Sequence, residues 1–212
     1  MASWKVTTIL MTTSMESGTV DQNTSQANQD SLPSHLGGHL NKTHNDRGTF
    51  LYLIEKYNIK SFLDVGCGPG GMVRIASMRG LKAVGVDGDW EVPKEPETKI
   101  IIHDFTTGAA PLDREFDLGW SVEFLEHVDE EYQDNYMQAF ARCKYVVCTA
   151  AGPGAPGHHH VNCQPAEYWH AIFDKYGFDY DDEITQEIRL RKSNMQKPFM
   201  QRTGMFFVRR EQ

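Results

Sequence analysis

The sequence is poor in the features that would place it outside the reducing interior of a cell. It has only four cysteines, Cys67, Cys143, Cys148 and Cys163, and no two form a C-x-x-C pair. A structural zinc knuckle and a disulfide framework are both poor readings of that spacing, and a reduced, cytoplasmic protein fits best. No run approaches the roughly 18 uninterrupted apolar residues of a membrane span, so no membrane partner is expected. The opening MASWKVTTILMTTSMES lacks a basic start, a continuous apolar stretch and a convincing cleavage site, and does not read as a secretory signal. Positive charge is in deficit, with 21 basic against 29 acidic residues and a net charge of −8. That argues against a whole-surface grip on nucleic acid, while leaving room for a local basic patch. No internal repeat of fixed period is present.

What is there suits one globular domain with a tail. Of 212 residues, 40% are hydrophobic and 24% charged, enough to bury a sizeable core. Residues 1–34 are rich in Ser, Thr, Asn and Gln and have few large apolar residues, so they read as a flexible polar arm, with the domain proper over 35–212. A start at Met11 or Met15 is the plainer alternative for part of that arm. Beyond it, periodicity predicts a helix over 46–57 and strands at 61–65, 82–87, 99–104, 116–122 and 144–150. Helices are predicted over 72–80, 130–143 and 165–176. The segments FDYDDEITQEIRL and TGMFFVRR read as two late strands. Short apolar strands alternating with helices imply a parallel sheet covered on both faces, an α/β architecture whose ligands bind in the loops after the strands.

The strongest local signal is Leu63-Asp64-Val65-Gly66-Cys67-Gly68-Pro69-Gly70-Gly71. Glycines let a backbone turn sharply and approach a ligand where a Cβ would collide. This turn follows a strand and opens a helix, whose first N–H groups point at the ligand. A second strand ends in Asp87, placed to accept hydrogen bonds from a ribose diol. A nucleoside-containing cofactor follows. Spacing alone leaves its identity open, since Gly66, Gly68 and Gly71 also satisfy the dinucleotide pattern G-x-G-x-x-G.

LDVGCGPGG resembles the first motif of class I S-adenosylmethionine (SAM) methyltransferases, of the type 11/23-like small-molecule branch. VGVDGD is similar to their second motif, HDF to their third, and FDLGWSVEFLEHV to their fourth-strand motif. The resemblance covers roughly residues 36–210, with the motifs in the right order. It implies a Rossmann-like, seven-stranded, mostly parallel sheet of order 3-2-1-4-5-7-6, with the last strand antiparallel and helices on both faces. It further implies that Asp64 and the backbone of Gly66, Cys67, Gly68, Pro69 and Gly70 hold the amino-acid end of SAM. Asp87 and Gly88 would hold the ribose. Asp104 and Phe105 would meet the adenine, and Trp120 and Ser121 would close the pocket. His39 to Thr43 would reach the SAM carboxylate. Asp104 also reads as a turn cap, and Phe105 and Trp120 as ordinary core.

Two further groups bear on chemistry. Glu123, Glu126 and His127 fall at i, i+3 and i+4, one face if that stretch is helical. They are candidate ligands for Mg²⁺ or Mn²⁺, which would chelate substrate oxygens and lower a hydroxyl pKa. A similar E-x-x-E-H run serves a divalent metal in small-RNA 2′-O-methyltransferases and ubiquinone-pathway O-methyltransferases, whereas in other relatives the same letters pack or cap beside the SAM pocket. His158, His159 and His160, after GPGAPG, are candidate catalytic bases or substrate contacts, or simply a solvated loop.

Residues 189–210 carry seven cations and no acid, leaving −15 for the remainder of the chain. Such asymmetry fits a phosphate-bearing substrate or RNA, or a solvated strand face. Strand four is followed by no Asp/Asn-Pro-Pro-aromatic motif, and there is no Pro-Cys dipeptide, so DNA is not an expected partner. The expectation is SAM-dependent methyl transfer to a small-molecule or carbohydrate-like acceptor, by O- or N-methylation. RNA-end 2′-O-methylation, a nicotinamide oxidoreductase and a non-catalytic SAM-binding subunit stand as alternatives.

Overall fold

In the computed structural model, residues 31–211 are described. The arm expected over 1–34 therefore lies, up to residue 30, outside the described residues. Seven strands form one sheet: β1 (Ser61–Val65), β2 (Lys82–Asp87), β3 (Ile100–Ile102), β4 (Phe116–Ser121), β5 (Cys143–Cys148), β6 (Phe178–Tyr180) and β7 (Met205–Arg209). Their order is β3-β2-β1-β4-β5-β7-β6, with the first five parallel and β7 antiparallel to both β5 and β6. This is the Rossmann-like order the motifs imply.

The strands alternate, and each face finds its own helices. Leu63, Val65, Val86, Phe116 and Val146 face α3 (Gln133–Phe140) and α4 (Ala166–Lys175), which contribute Phe140, Trp169 and Phe173. Phe62, Leu118, Trp120, Val147 and Phe206 face the opposite layer. There α1 (Arg47–Tyr57), α2 (Gly71–Met78), α5 (Asp182–Glu187) and α6 (Phe199–Thr203) supply Phe50, Leu53, Met72, Ala76, Ile184 and Met200. Burying both faces is what a parallel sheet requires, and it leaves the strand ends as the open edge. β1 pairs with both β2 and β4, so the chain reverses its direction of progress across the sheet there, and a crevice opens above the strand ends.

The expected late strand over 178–190 is mostly helix. Only Phe178–Tyr180 is extended. Asp181 then caps α5 by accepting a hydrogen bond from Ile184 N at 2.9 Å, and the helix runs on through a wider turn at Ile188–Lys192. Ile184 and Ile188, four residues apart, both enter the core, which is helical spacing. The helix expected over 130–143 starts with a 3₁₀ turn at Glu130–Tyr132 and ends at Phe140, with Cys143 already in β5. No helix among the described residues is long and apolar enough to cross a membrane.

A buried acid locks the start of α1 to the segment after Lys192. Asp46 caps α1, accepting from Thr49 N (3.0 Å) and Thr49 Oγ1 (2.9 Å). It also accepts from Ser193 Oγ (2.5 Å) and Asn194 N (3.1 Å), while Asn194 Oδ1 accepts from Gly48 N (2.9 Å). A fully buried carboxylate is tolerated here because four donors take the place of water.

Candidate functional site

A cavity of about 310 Å³ opens at the carboxyl ends of β1, β2 and β4, a volume typical of small-molecule sites. The turn after β1 forms one wall. Gly66 has φ +73°, and a Cβ there would collide with the Phe124 ring, so only glycine fits. Gly66 N and Cys67 N both donate to Val86 O, at 2.9 and 3.1 Å, which folds the turn against β2. Asp87 then grips the same turn. Its Oδ2 accepts from Gly68 N at 2.7 Å and its Oδ1 from Asp89 N at 2.9 Å. Burial raises the Asp87 carboxyl above its ordinary range, although both hydrogen bonds oppose the shift. Asp64 lies beside it in the cavity wall, nearly buried. Burial, and then the charge of Asp87, push its carboxyl well above the ordinary range.

Residues 32–45 pass over this end as an irregular strap. His39 Nε2 meets Asp89 Oδ2 at 2.9 Å, His35 Nε2 meets Asp104 Oδ2 at 2.8 Å, and Gly71 N at the start of α2 donates to Thr43 Oγ1 at 3.0 Å. Asp104 also caps the 3₁₀ turn Phe105–Thr107 by accepting from Thr106 N at 2.9 Å. Burial works against it, but the Thr106 N–H and His35 hold the Asp104 carboxyl below its usual range.

The other end of the cavity is built from the loops after β4 and β5. Glu126 is fully buried, and among the described residues neither of its carboxyl oxygens has a well-formed hydrogen bond, although the backbone N–H groups of Glu126 and Ala151 approach them and partly offset the effect of burial. Burial, then the neighbouring Glu123, push its carboxyl up to about 8. One ligand atom each from Glu126, His127 and His160 lies within 4.8 Å of the others. The loop after β5 is docked to create this meeting, with Val161 N and Asn162 N both donating to Glu126 O at 3.0 Å. His127 Nδ1 lies 2.7 Å from His158 O, and His160 Nδ1 lies 3.0 Å from Ala155 O. Each carbonyl fixes the proton on Nδ1 and leaves the Nε2 lone pair free, the arrangement of a metal-binding imidazole. Burial, then His160, push His127 down to about 4, so it is neutral at physiological pH. Glu123 sits at φ +54°, held by Thr149, whose Oγ1 accepts from Glu123 N (2.9 Å) and donates to Glu123 Oε1 (2.8 Å). A non-glycine residue in the left-handed region is uncommon and clusters at functional sites.

A family profile described as a methyltransferase domain matches residues 43–150, just over half of the 212 residues. The chain belongs to the methyltransferase-domain family. Its fold is shared by a TehB-like SAM-dependent methyltransferase from Corynebacterium glutamicum ATCC 13032 (17% identity, TM-score 0.55, covering 78% of this chain and 90% of that one). It is shared by the methyltransferase domain of a bacterial Hen1, CtHen1-C (18% identity, TM-score 0.54, 77% and 96%). Magnesium protoporphyrin IX methyltransferase from Synechocystis PCC 6803, solved with S-adenosylhomocysteine (SAH) bound, shares it too (15% identity, TM-score 0.53, 76% and 80%). No curated protein matches the sequence significantly.

Within this methyltransferase fold, Asp64, Gly66, Cys67, Gly68, Asp87, Gly88, Asp104, Phe105 and Trp120 all line the cavity. Pro69, Gly70 and Ser121 do not. Pro69 O accepts from Glu95 N, Gly70 caps α2, and Ser121 Oγ donates to Val65 O at 2.9 Å, tying β4 to β1. Trp120 is also core, edge-on to Phe50, and Phe105 is edge-on to Phe124. Glu123, Glu126 and His127 do not share a helix face, because only Leu125–His127 form a 3₁₀ turn and Glu123 stands outside it. The gathered set is Glu126, His127 and His160, with Glu123 adjoining. The histidine run splits three ways: His158 Nε2 meets Leu36 O at 3.1 Å, His159 lies 3.9 Å from Asp129, and His160 joins the cluster. His35, Thr149 and Lys197 carry no local motif and were not singled out as site residues from the sequence.

Proposed function

We propose that the protein transfers the methyl group of SAM to a hydroxyl of a small-molecule acceptor, with a divalent cation held by Glu126, His127 and His160 and with Glu123 beside them. The observation that carries this reading is the fully buried Glu126 carboxyl, without a well-formed partner among the described residues and gathered with two imidazoles whose Nε2 atoms are free, at the cavity that holds the glycine turn and Asp87. A buried, poorly partnered carboxyl either keeps its proton, as its raised pKa of about 8 implies, or ionises against a cation, and a metal at this cluster would take the place of that proton. Two imidazoles and one carboxylate suit a borderline cation such as Mn²⁺ or Zn²⁺ better than Mg²⁺, which takes oxygen ligands.

SAM supplies its own leaving group, so the protein's task is alignment, exclusion of water and removal of one proton. Asp64 and the backbone from Gly66 to Gly68 hold the amino-acid end. Asp87 holds the ribose, and Phe105 and Asp104 hold the adenine. A cation at the acid–histidine cluster would bind neighbouring acceptor oxygens and lower a hydroxyl pKa. His159, the histidine of the run with the weakest tie, is the group we assign to carry the proton away.

A second reading, transfer to the terminal ribose of an RNA, draws on the E-x-x-E-H run. The basic segment speaks against it. Of its seven cations, Arg191 and Lys192 pair with Glu187, Arg209 with Glu115, Arg210 with Asp174 and Asp179, and Arg189 donates to Gly204 O. Little of that charge remains for a phosphate backbone.

The test is incubation of the purified protein with methyl-labelled SAM and separate metabolite and RNA extracts, with EDTA and with Mn²⁺ restored. Label entering a metabolite fraction, lost with EDTA and recovered with Mn²⁺, is the expected result. Failure of the protein to bind SAM or SAH overturns the function. Transfer that ignores EDTA removes the cation, and label confined to RNA selects the second reading.

A further inference from the structure

Thr149 directly follows β5 and is fully buried, and its hydroxyl serves a single neighbour. Thr149 Oγ1 accepts from Glu123 N and donates to Glu123 Oε1, so one hydroxyl fixes both the backbone and the side chain of the same residue. Glu123 needs that hold. Its φ of +54° is a conformation that a Cβ disfavours and glycine takes freely. A glutamate persists there only where its surroundings over-determine it, and Thr149 is the group that does so.

Thr149 is itself anchored. Its N–H donates to Ser121 O at 3.0 Å, and Ser121 Oγ donates to Val65 O at 2.9 Å. Val65 is the last residue of β1, and Gly66 opens the glycine turn after it. Hydrogen bonds thus run from the root of that turn, through Ser121 at the end of β4 and Thr149 after β5, to the Glu123 carboxyl. Both hydroxyl residues are fully buried, so water does not compete for these bonds. A hydroxyl carries one hydrogen, and that of Thr149 goes to Glu123 Oε1. Glu123 Oε2 makes no hydrogen bond among the described residues, and Glu123 lines the cavity together with His127 and His160.

We propose that Thr149 is a positioning residue for the cation site: its hydroxyl holds Glu123 so that the free carboxyl oxygen completes the coordination begun by Glu126, His127 and His160. This rests on the cation reading of the cluster and deepens it. A ligating carboxylate is hydrogen-bonded in its turn, and that outer partner sets its aim. Glu123 stands outside the 3₁₀ turn that carries Glu126 and His127, so the turn does not place it and Thr149 does. The same tie registers the carboxyl against the glycine turn on the methyl-donor side, and in-line transfer depends on that spacing.

The probes are Mn²⁺ and SAH, titrated separately by calorimetry into the protein and its variants. Thr149→Val keeps the shape and removes the hydroxyl, and Thr149→Ser keeps the hydroxyl. Thr149→Val is expected to weaken Mn²⁺ about tenfold or more, the cost of losing a ligand's outer partner, and Thr149→Ser to stay within about threefold of the unsubstituted protein. SAH affinity should hardly change in either. Glu123→Gln should lose Mn²⁺ affinity as Thr149→Val does, and the two together should cost little more than either alone, because both act through one carboxyl. A threonine with a merely structural role would not give that non-additivity. Unchanged Mn²⁺ affinity in Thr149→Val, losses that add in the double variant, or no rescue by Thr149→Ser overturns the proposal. Thr149→Ala is the second variant, and loss of SAH binding in both it and Thr149→Val makes the residue structural and overturns the proposal too. Failure of Mn²⁺ to bind the unsubstituted protein sinks the cation reading, and the role of Thr149 with it, before any variant is compared.

Discussion

The two ends of the cavity solve the problem of buried charge in opposite ways. At the β1–β2 end, the carboxylates that shape the wall mostly have protein partners: Asp87 with Gly68 and Asp89, Asp89 with His39, and Asp104 with His35 and Thr106. At the β4–β5 end, Glu126 has no well-formed hydrogen bond among the described residues, and two imidazoles gathered with it keep a free nitrogen. The first end is a template whose shape the chain completes alone. The second is assembled but electrostatically unfinished, which is where a site meets reactants whose charge must be matched. Asp64 is the exception at the first end, with no side-chain hydrogen bond among the described residues, and it faces the place expected for the amino-acid end of SAM.

The largest effect expected from breaking this contrast is at Glu126. Glu126→Gln should lower methyl transfer by at least about a hundredfold while SAH affinity changes little, read by labelled transfer alongside calorimetry. Equal losses in both would merge the two ends into one unit. Next is Asp87→Ala, which removes the clamp on the glycine turn and the ribose acceptor together. SAH affinity should fall about thirtyfold or more, with the response to Mn²⁺ retained.

Asp64→Asn tests the cost of the exception. Its folded carboxyl is raised by burial, so the folded state holds a proton that the unfolded state releases above about 3.8. Stability from this group is present at low pH and is lost as pH rises through the raised value. The substituted protein should therefore gain melting temperature over the unsubstituted one, by a few degrees, with the gap widening from pH 4 upward, while SAH affinity drops. A gap that narrows with pH would reverse the sign. The smallest effect is at His35→Ala, which unties the strap from Asp104. A two- to tenfold weakening of SAH, of the order of one net hydrogen bond, is expected in calorimetry.

The template end was far more legible in the sequence than the unfinished end, and the reason is physical. A turn that needs positive φ at Gly66, Gly68 and Gly70 leaves its mark on adjacent letters, and Asp87 follows at the end of the next strand. Within that motif, the letters could not separate Gly66, which lines the cavity, from Gly70, which caps α2 and meets Ile100. The acid–histidine cluster was half legible. Glu126 and His127 are neighbours, but His160 joins them only because Val161 and Asn162 dock on Glu126 O, a contact between loops. Lys197 stood in a charge run whose pairing with Glu115, Glu187, Asp174 and Asp179 is tertiary, so the run looked uniform. The strand expected over 178–190 failed for a local reason. Asp181 is a helix cap, and the spacing of Ile184 and Ile188 is four, not two.

The Asp46 junction bears on how one stretch of the cavity wall is anchored. By fastening Ser193 and Asn194 to the root of α1, it fixes where the short segment that follows begins. Between that fastening and α6 lie only Met195, Gln196, Lys197 and Pro198. A tether this short, anchored at both ends, brings Lys197 to the cavity wall with little slack in the backbone, so a side-chain change there would alter the wall without moving its supports.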